Sequence, residues 1–186
     1  MPRFAANLTW MFNEHEFTDR FQAAADAGFT AVEIQLPYEY SPESLAKRRQ
    51  AAGVEQIMFN APPGDMKAGE YGIAALPGRE AEFRESVERA LPYALELSCP
   101  TVHVMAGIVA DGLRNARVVD TYVANLRYAA EKAAADEVVI LIEPLNTRDN
   151  PGYFLSTQAQ AAAVLADVGA PNLKIRSEEH TSELQS

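Results

Sequence analysis

A parallel α/β fold closed as a (β/α)8 barrel is the architecture this sequence predicts, and three observations predict it. Short apolar runs alternate with longer helical stretches along the chain, the pattern of βα units around a parallel sheet. The turn after the first run reads Leu8-Thr9-Trp10-Met11-Phe12-Asn13, without glycine, whereas a doubly wound nucleotide-binding sheet wants a glycine-rich turn there. Asn7, Glu33, Asn60, His103 and Glu143 fall at or near the C-terminal ends of runs, where barrel enzymes place their chemistry.

The expected strands are Arg3 to Leu8, Ala31 to Leu36, Glu55 to Asn60, Thr101 to Met105, Val138 to Ile142, and a last one starting at Asn172. Each is too short to be a buried helix. Between the first two, Asn13 with Glu16 three residues on reads as a capping box, and Gly28 closes the segment. Ser41-Pro42 supplies an N-cap followed by proline at the first helical position, and Gly53 ends that helix. Further helices are expected over about Arg79 to Leu97, about Asn115 to Ala134, and from an N-cap at Ser156 to Gly169. The stretch Ala61 to Gly78 is the longest irregular segment, and its position after a strand end makes it a candidate lid.

Composition narrows the function classes. With 48% hydrophobic and 23% charged residues the chain of 186 residues reads as one globular domain, not a disordered one. No apolar run approaches the ~18 residues of a membrane span, and the N-terminus lacks a signal-peptide core, so no membrane partner and a cytoplasmic location are expected. Sixteen Lys+Arg against 26 Asp+Glu give a net charge of −10, without the basic footprint that binding nucleic acid requires. The short triplet Lys47-Arg48-Arg49 falls where a helix ends and complements its dipole. The single cysteine, Cys99, reads as a small buried hydrophobe.

The chemistry concentrates in Val138 to Leu155, VVILIEPLNTRDNPGYFL. An apolar strand runs straight into Glu143, and Pro144 takes the chain out of regular pairing, so the carboxylate is held on a rigid element at the barrel mouth. Such a carboxylate can bind a divalent cation or serve as base toward a carbon acid. Asn146, Arg148 and Asp149 follow in one loop, and Arg148 offers the fork suited to a substrate carboxylate; the alternative is that Glu143 and Arg148 simply pair. His103, Glu33, Asn7 and Asn60 are the other candidate substrate contacts, His103 either as hydrogen-bond donor to a substrate oxygen or as an orienting group.

LIEPLNTRDNPGYFL, VHVMAG at Val102 to Gly107, FAANLTWMF at Phe4 to Phe12 and FNAPPGDM at Phe59 to Met66, in this order, resemble the hydroxypyruvate isomerase family of xylose isomerase-like TIM barrels. The resemblance covers residues 1–175. It implies interconversion of hydroxypyruvate and tartronate semialdehyde, or of a related 2-oxo acid sugar, by a proton shift through an enediolate. It also implies a divalent metal, Mg or Mn from an oxygen-rich site, and no nucleotide cofactor. Glu143 matches the first of two family glutamates and is both the expected catalytic residue and a metal ligand. The second glutamate and the later metal ligands would fall beyond Ile175, so the metal site is expected to be incomplete here.

Residues 176–186, RSEEHTSELQS, replace an apolar run by polar residues in mid-strand and resemble the in-frame translation of a sequencing adapter. The expected organisation is therefore a partial barrel over 1–175, five βα units and the start of a sixth strand, followed by a non-native tail in which His180 has no role. On that reading the chain as it stands is inactive. Alternatives are a ketose 3-epimerase of the same superfamily, which a guanidinium at Arg148 argues against, a non-catalytic barrel fragment, and a metal-dependent DNA endonuclease, which the charge disfavours. The sequence leaves the oligomeric state open.

Overall fold

The computed structural model describes residues 3–177, and in them six parallel strands alternate with five α-helices. The strands are β1 (Ala5–Asn7), β2 (Ala31–Glu33), β3 (Glu55–Asn60), β4 (Thr101–His103), β5 (Val139–Ile142) and β6 (Leu173–Ile175). The helices are α1 (Arg20–Asp26), α2 (Pro42–Ala52), α3 (Glu80–Glu96), α4 (Ala116–Ala134) and α5 (Gln158–Val168). Each strand pairs with the next in sequence, so the order is β1-β2-β3-β4-β5-β6. A doubly wound sheet reverses its strand order at a switch point, whereas this one-way order is that of a barrel wall. Among the described residues β1 and β6 each have one strand neighbour.

The pairing register aligns the strand ends. Asn7 lies opposite Glu33 across β1 and β2, Asn60 opposite His103 across β3 and β4, and Ile142 opposite Ile175 across β5 and β6. Three apolar runs extend past the C-terminal end of the paired strand, and the reason is burial. Leu8, Ile34 and Val104 lie just past their ladders yet are buried, with single backbone bonds to Glu33, Met58 and Leu141 respectively. Apolar sequence reports the buried length of a run, and the ladder is a shorter subset of it.

Helix boundaries follow their caps. Ser41 Oγ accepts from Ser44 N with Pro42 at the first position, and Gly53 closes α2 in the left-handed region at φ 67°. Asn115 caps α4, and Gly169 closes α5. Two expectations are corrected. Asn13 does not cap a helix: its amide donates to Trp10 O, Phe17–Asp19 form a 3-10 turn, and α1 starts only at Arg20. The cap of α5 is Thr157, whose hydroxyl accepts from Gln160 N, while the Ser156 backbone is held by the Gln160 side chain.

The helices bury one stripe each against the sheet. Phe83, Val87, Ala90 and Ala94 of α3 and Val118, Tyr122, Leu126, Ala129 and Ala133 of α4 recur at helical spacing and join Phe59, Val102 and Ile140 of the strands in one core. Cys99 is buried with them. No helix among the described residues is long and apolar enough to cross a membrane.

The segment between β3 and α3 is built, not loose. Asp65 caps a 3-10 turn at Met66–Ala68, and Glu70 accepts from Asp65 N and pairs with Arg79, which also holds Glu82. Gly72 bridges to Ala106, and Ala75 N donates to Ala106 O at 2.8 Å, which stitches this segment to the chain leaving β4.

Candidate active site

The C-terminal strand ends enclose a cavity of about 420 Å3. Asn7, Asn60, His103 and Glu143 line it, each carried by the end of a different strand or the residue just beyond it. Glu143 follows β5 directly and is buried at 6% exposure. His103 ends β4 at 3% exposure. Its Nε2 stands 4.0 Å from Glu143 Oε2, and its Nδ1 lies 3.1 Å from Asn60 Oδ1. Burial, reinforced by the Arg176 guanidinium, pushes the His103 pKa down to about 3, so the ring is neutral at physiological pH.

Glu33 stands behind this group as a support. Its Oε1 accepts from Asn7 Nδ2 at 2.8 Å, and Asn7 Oδ1 accepts from Thr9 N, so the two residues hold each other and the turn after β1. Glu33 is not among the residues lining the cavity. Tyr38 donates to Asn60 O at 2.8 Å and fixes the end of β3 from the helix side.

Asn146 and Arg148 are placed away from the cavity. Asn146 closes a turn on Asp149, donating to its Oδ2 at 3.1 Å and accepting from its N at 2.9 Å, and Leu145 N donates to Leu155 O at the base of the loop. That turn carries Arg148 outward, where it is exposed. The polar residue of this loop that reaches the cavity is Asn150. Tyr153 secures the loop by accepting from Ala106 N through its hydroxyl, at 2.8 Å. The cation in contact with Glu143 is Arg176, whose Nε is 3.3 Å from Glu143 Oε1 and whose Nη2 is 3.3 Å from Glu33 Oε1.

Several lining residues escape a sequence reading. Trp10, Met66 and Tyr71 form a partly exposed rim, with Met58, Met105, Leu36 and Leu145 as apolar wall and Gln35 as a further amide. Trp10, Met66 and Met105 sit inside conspicuous motifs, but an apolar residue beside a strand is more often core than pocket. The same stitched segment that bears Met66 and Tyr71 thus acts as a wall of the cavity.

A divalent cation is not accommodated by what is present. Among the described residues no three His, Cys, Asp or Glu side chains form a group that could hold a metal ion, and the imidazole near Glu143 is that of His103, 4.0 Å away. One carboxylate does not fill the coordination shell of a hard cation.

Residues 21–176 match the family model described as xylose isomerase-like TIM barrel. The chain belongs to the xylose isomerase-like TIM barrel family. Within that family it is 54% identical over 176 residues to the 2-oxo-tetronate isomerase of Cupriavidus necator, covering 95% of this chain and 68% of that one. It is 46% identical over 180 residues to a human protein named putative hydroxypyruvate isomerase, covering 94% of this chain and 65% of the relative, and 42% identical to the hydroxypyruvate isomerase of Escherichia coli. The chain thus spans about two thirds of the length of these relatives. A crystal structure from Brucella melitensis described as AP endonuclease, family 2, superposes with a TM-score of 0.92 at 47% identity, over 95% of this chain and 68% of that one. By family this xylose isomerase-like chain is an enzyme of the isomerase group, as its curated relatives are.

Proposed function

We propose that this chain carries the proton-transfer half of an isomerase acting on a short 2-oxo acid with a hydroxyl on the carbon next to the carbonyl, hydroxypyruvate or 2-oxo-tetronate. The observation that carries the reading is the buried Glu143 carboxylate at the cavity wall beside neutral His103. A carboxylate so placed takes the proton from the carbinol carbon and leaves an enediolate. Returning that proton to the neighbouring carbon, while the hydroxyl proton passes from the carbinol oxygen to the former carbonyl oxygen, exchanges carbonyl and carbinol with no net oxidation. The amides of Asn7, Asn60 and Asn150 line the same cavity and offer donors to the oxygens on which charge develops. The preference for an acid over a neutral ketose rests on the names of the relatives, since Arg148 lies outside the cavity. A cavity of about 420 Å3 is in keeping with a small-molecule substrate, and the acidic charge balance argues against nucleic acid. A divalent metal would need ligands beyond those described here.

In the 186-residue chain the Arg176 guanidinium pairs with the Glu143 carboxylate at 3.3 Å and weakens it as a base, so this chain is expected to bind substrate but to exchange no substrate protons. The test therefore joins residues 1–175 to the remaining C-terminal portion of the Cupriavidus necator relative. Incubated with hydroxypyruvate in deuterated water and Mg or Mn, the chimera is expected to incorporate deuterium at the hydroxymethyl carbon. Glu143→Gln in the chimera should lower the rate by about 100-fold to 10,000-fold with little change in KM. Turnover of a ketohexose but not of either acid would replace this reading by the 3-epimerase.

A further inference from the structure

Two buried polar atoms face each other across the cavity wall, His103 Nε2 and Glu143 Oε2, 4.0 Å apart. The histidine atom has no hydrogen-bond partner among the described residues although it is shielded from water, and His103 is one of the residues that line the cavity. Which kind of partner it wants is fixed from the other side of the ring. Nδ1 lies 3.1 Å from the Asn60 side-chain oxygen, while the Asn60 amide nitrogen points at Met105 Sδ, 3.8 Å away. Exchanging oxygen and nitrogen on Asn60 would set an oxygen against sulfur lone pairs and discard the weak N–H···S contact, so the amide orientation is the one stated. An amide oxygen only accepts. The proton of the neutral ring therefore sits on Nδ1, and Nε2 presents a lone pair.

We infer that His103 is the residue that reads the substrate's hydroxyl, accepting its proton donor through Nε2 and thereby presenting the C–H of the same carbon to Glu143. The inference rests on the proposed isomerase reading and adds to it the group on the substrate that is recognised. It reverses the donor role expected from the sequence. A hydroxyl donating to Nε2 puts its own carbon one covalent bond further along, toward a carboxylate that lies 4.0 Å from the same nitrogen. A 2-oxo acid without that hydroxyl leaves Nε2 buried and unsatisfied, which costs affinity. Asn60 acts through His103 as a positioning residue: it holds the tautomer, and is itself held by Tyr38 through its backbone carbonyl.

The test uses the 186-residue chain labelled with 15N. Long-range proton–nitrogen spectra, with the His103 signals assigned by their loss in His103→Gln, are expected to show a neutral ring protonated at Nδ1. Asn60→Leu should yield a mixture of the two tautomers. Hydroxypyruvate should move the His103 Nε2 resonance upfield, toward the range of a protonated nitrogen, and pyruvate should leave it in place. Hydroxypyruvate should also bind at least about tenfold tighter than pyruvate. A ring protonated at Nε2 overturns the inference whatever binds. An Nδ1-protonated ring that responds alike to both acids overturns the reading of the hydroxyl. Binding of neither acid, with the Nδ1 tautomer intact, overturns the substrate assignment and supports the acceptor assignment, so the two failures are told apart.

Discussion

Cys99 lies just before β4 and His103 ends it, four positions on, yet burial does opposite things for their chemistry. At Cys99 burial pushes the thiol up to about 12, and its Sγ donates to Thr101 O, so no thiolate forms at ordinary pH. The native chain is expected to leave a disulfide-exchange reagent unreacted at pH 8 and to release one equivalent of thiol on unfolding in denaturant; fast reaction without denaturant would remove Cys99 from the core. At His103 burial holds the base neutral and leaves a lone pair aimed into a cavity, which is what recognition requires. Asn7, Asn60, His103 and Glu143 were legible because strand period and barrel logic place the residue at a strand end without further information. Arg148 was not, because its direction is set by the Asn146–Asp149 turn and the Leu145–Leu155 bond, which no spacing encodes. The acceptor role of His103 was equally hidden, since it depends on which atom of Asn60 faces the ring.

At the level of elements, capping chemistry placed α2, α4 and α5 to within a residue, and failed where the chain before α1 wraps around the cavity rim. There Arg20 donates to Leu8 O and His15 O, and those tertiary bonds outbid the local capping box. The segment over 61–78 shows how a length of irregular chain becomes a wall. Gly72 has φ +104°, and a methyl group there would collide with the Met105 backbone carbonyl. Gly72→Ala is therefore expected to break the stitch to Ala106 and to make residues 61–78 the first site of limited proteolysis; an unchanged cleavage pattern would show the stitch to be dispensable. The same segment should respond to acid. The Arg79 guanidinium, with the Asp65 N–H, holds the Glu70 carboxyl below its ordinary value of 4.5. The folded state thus binds this proton less readily than the unfolded one, so the contribution is complete above pH 4.5 and is lost as pH falls through the lowered folded value. Being partly exposed, the pair is worth at most about 1 kcal/mol, and the protection of amides in this segment, relative to their intrinsic exchange at each pH, should fall as pH drops through the lowered Glu70 value in the native chain, while in Glu70→Gln it is low throughout.

For the whole molecule, the parallel one-way order of strands was readable from the alternation of runs and helices, because right-handed crossovers leave few other arrangements. What alternation does not encode is how the two ends of the sheet relate, and here one side chain bears on that. Arg176 follows β6, at one edge of the six-strand order, yet its guanidinium reaches Glu33 at the end of β2, Met58 Sδ on β3 at 3.0 Å, and Glu143 after β5. It reaches across the strand ends and ties the edge at β6 to β2 and β3 near the other edge. Its side chain is 33% exposed while those of Glu33 and Glu143 are 13% and 7% exposed, which sets the pair between a surface ion pair and a buried one. Arg176→Ala should therefore lower stability at pH 7 by about 1–2 kcal/mol, less than the loss of a fully buried partner. The decisive measurement is a double-mutant cycle by denaturant unfolding with Glu33→Gln and with Glu143→Gln. If the guanidinium bridges the mouth, Arg176→Ala costs less in either carboxamide background than in the parent chain, and the two coupling energies are of similar size. If the cost is unchanged in both, Arg176 contributes only its apolar stem, and the edges of the sheet are held by backbone pairing and the helical core alone.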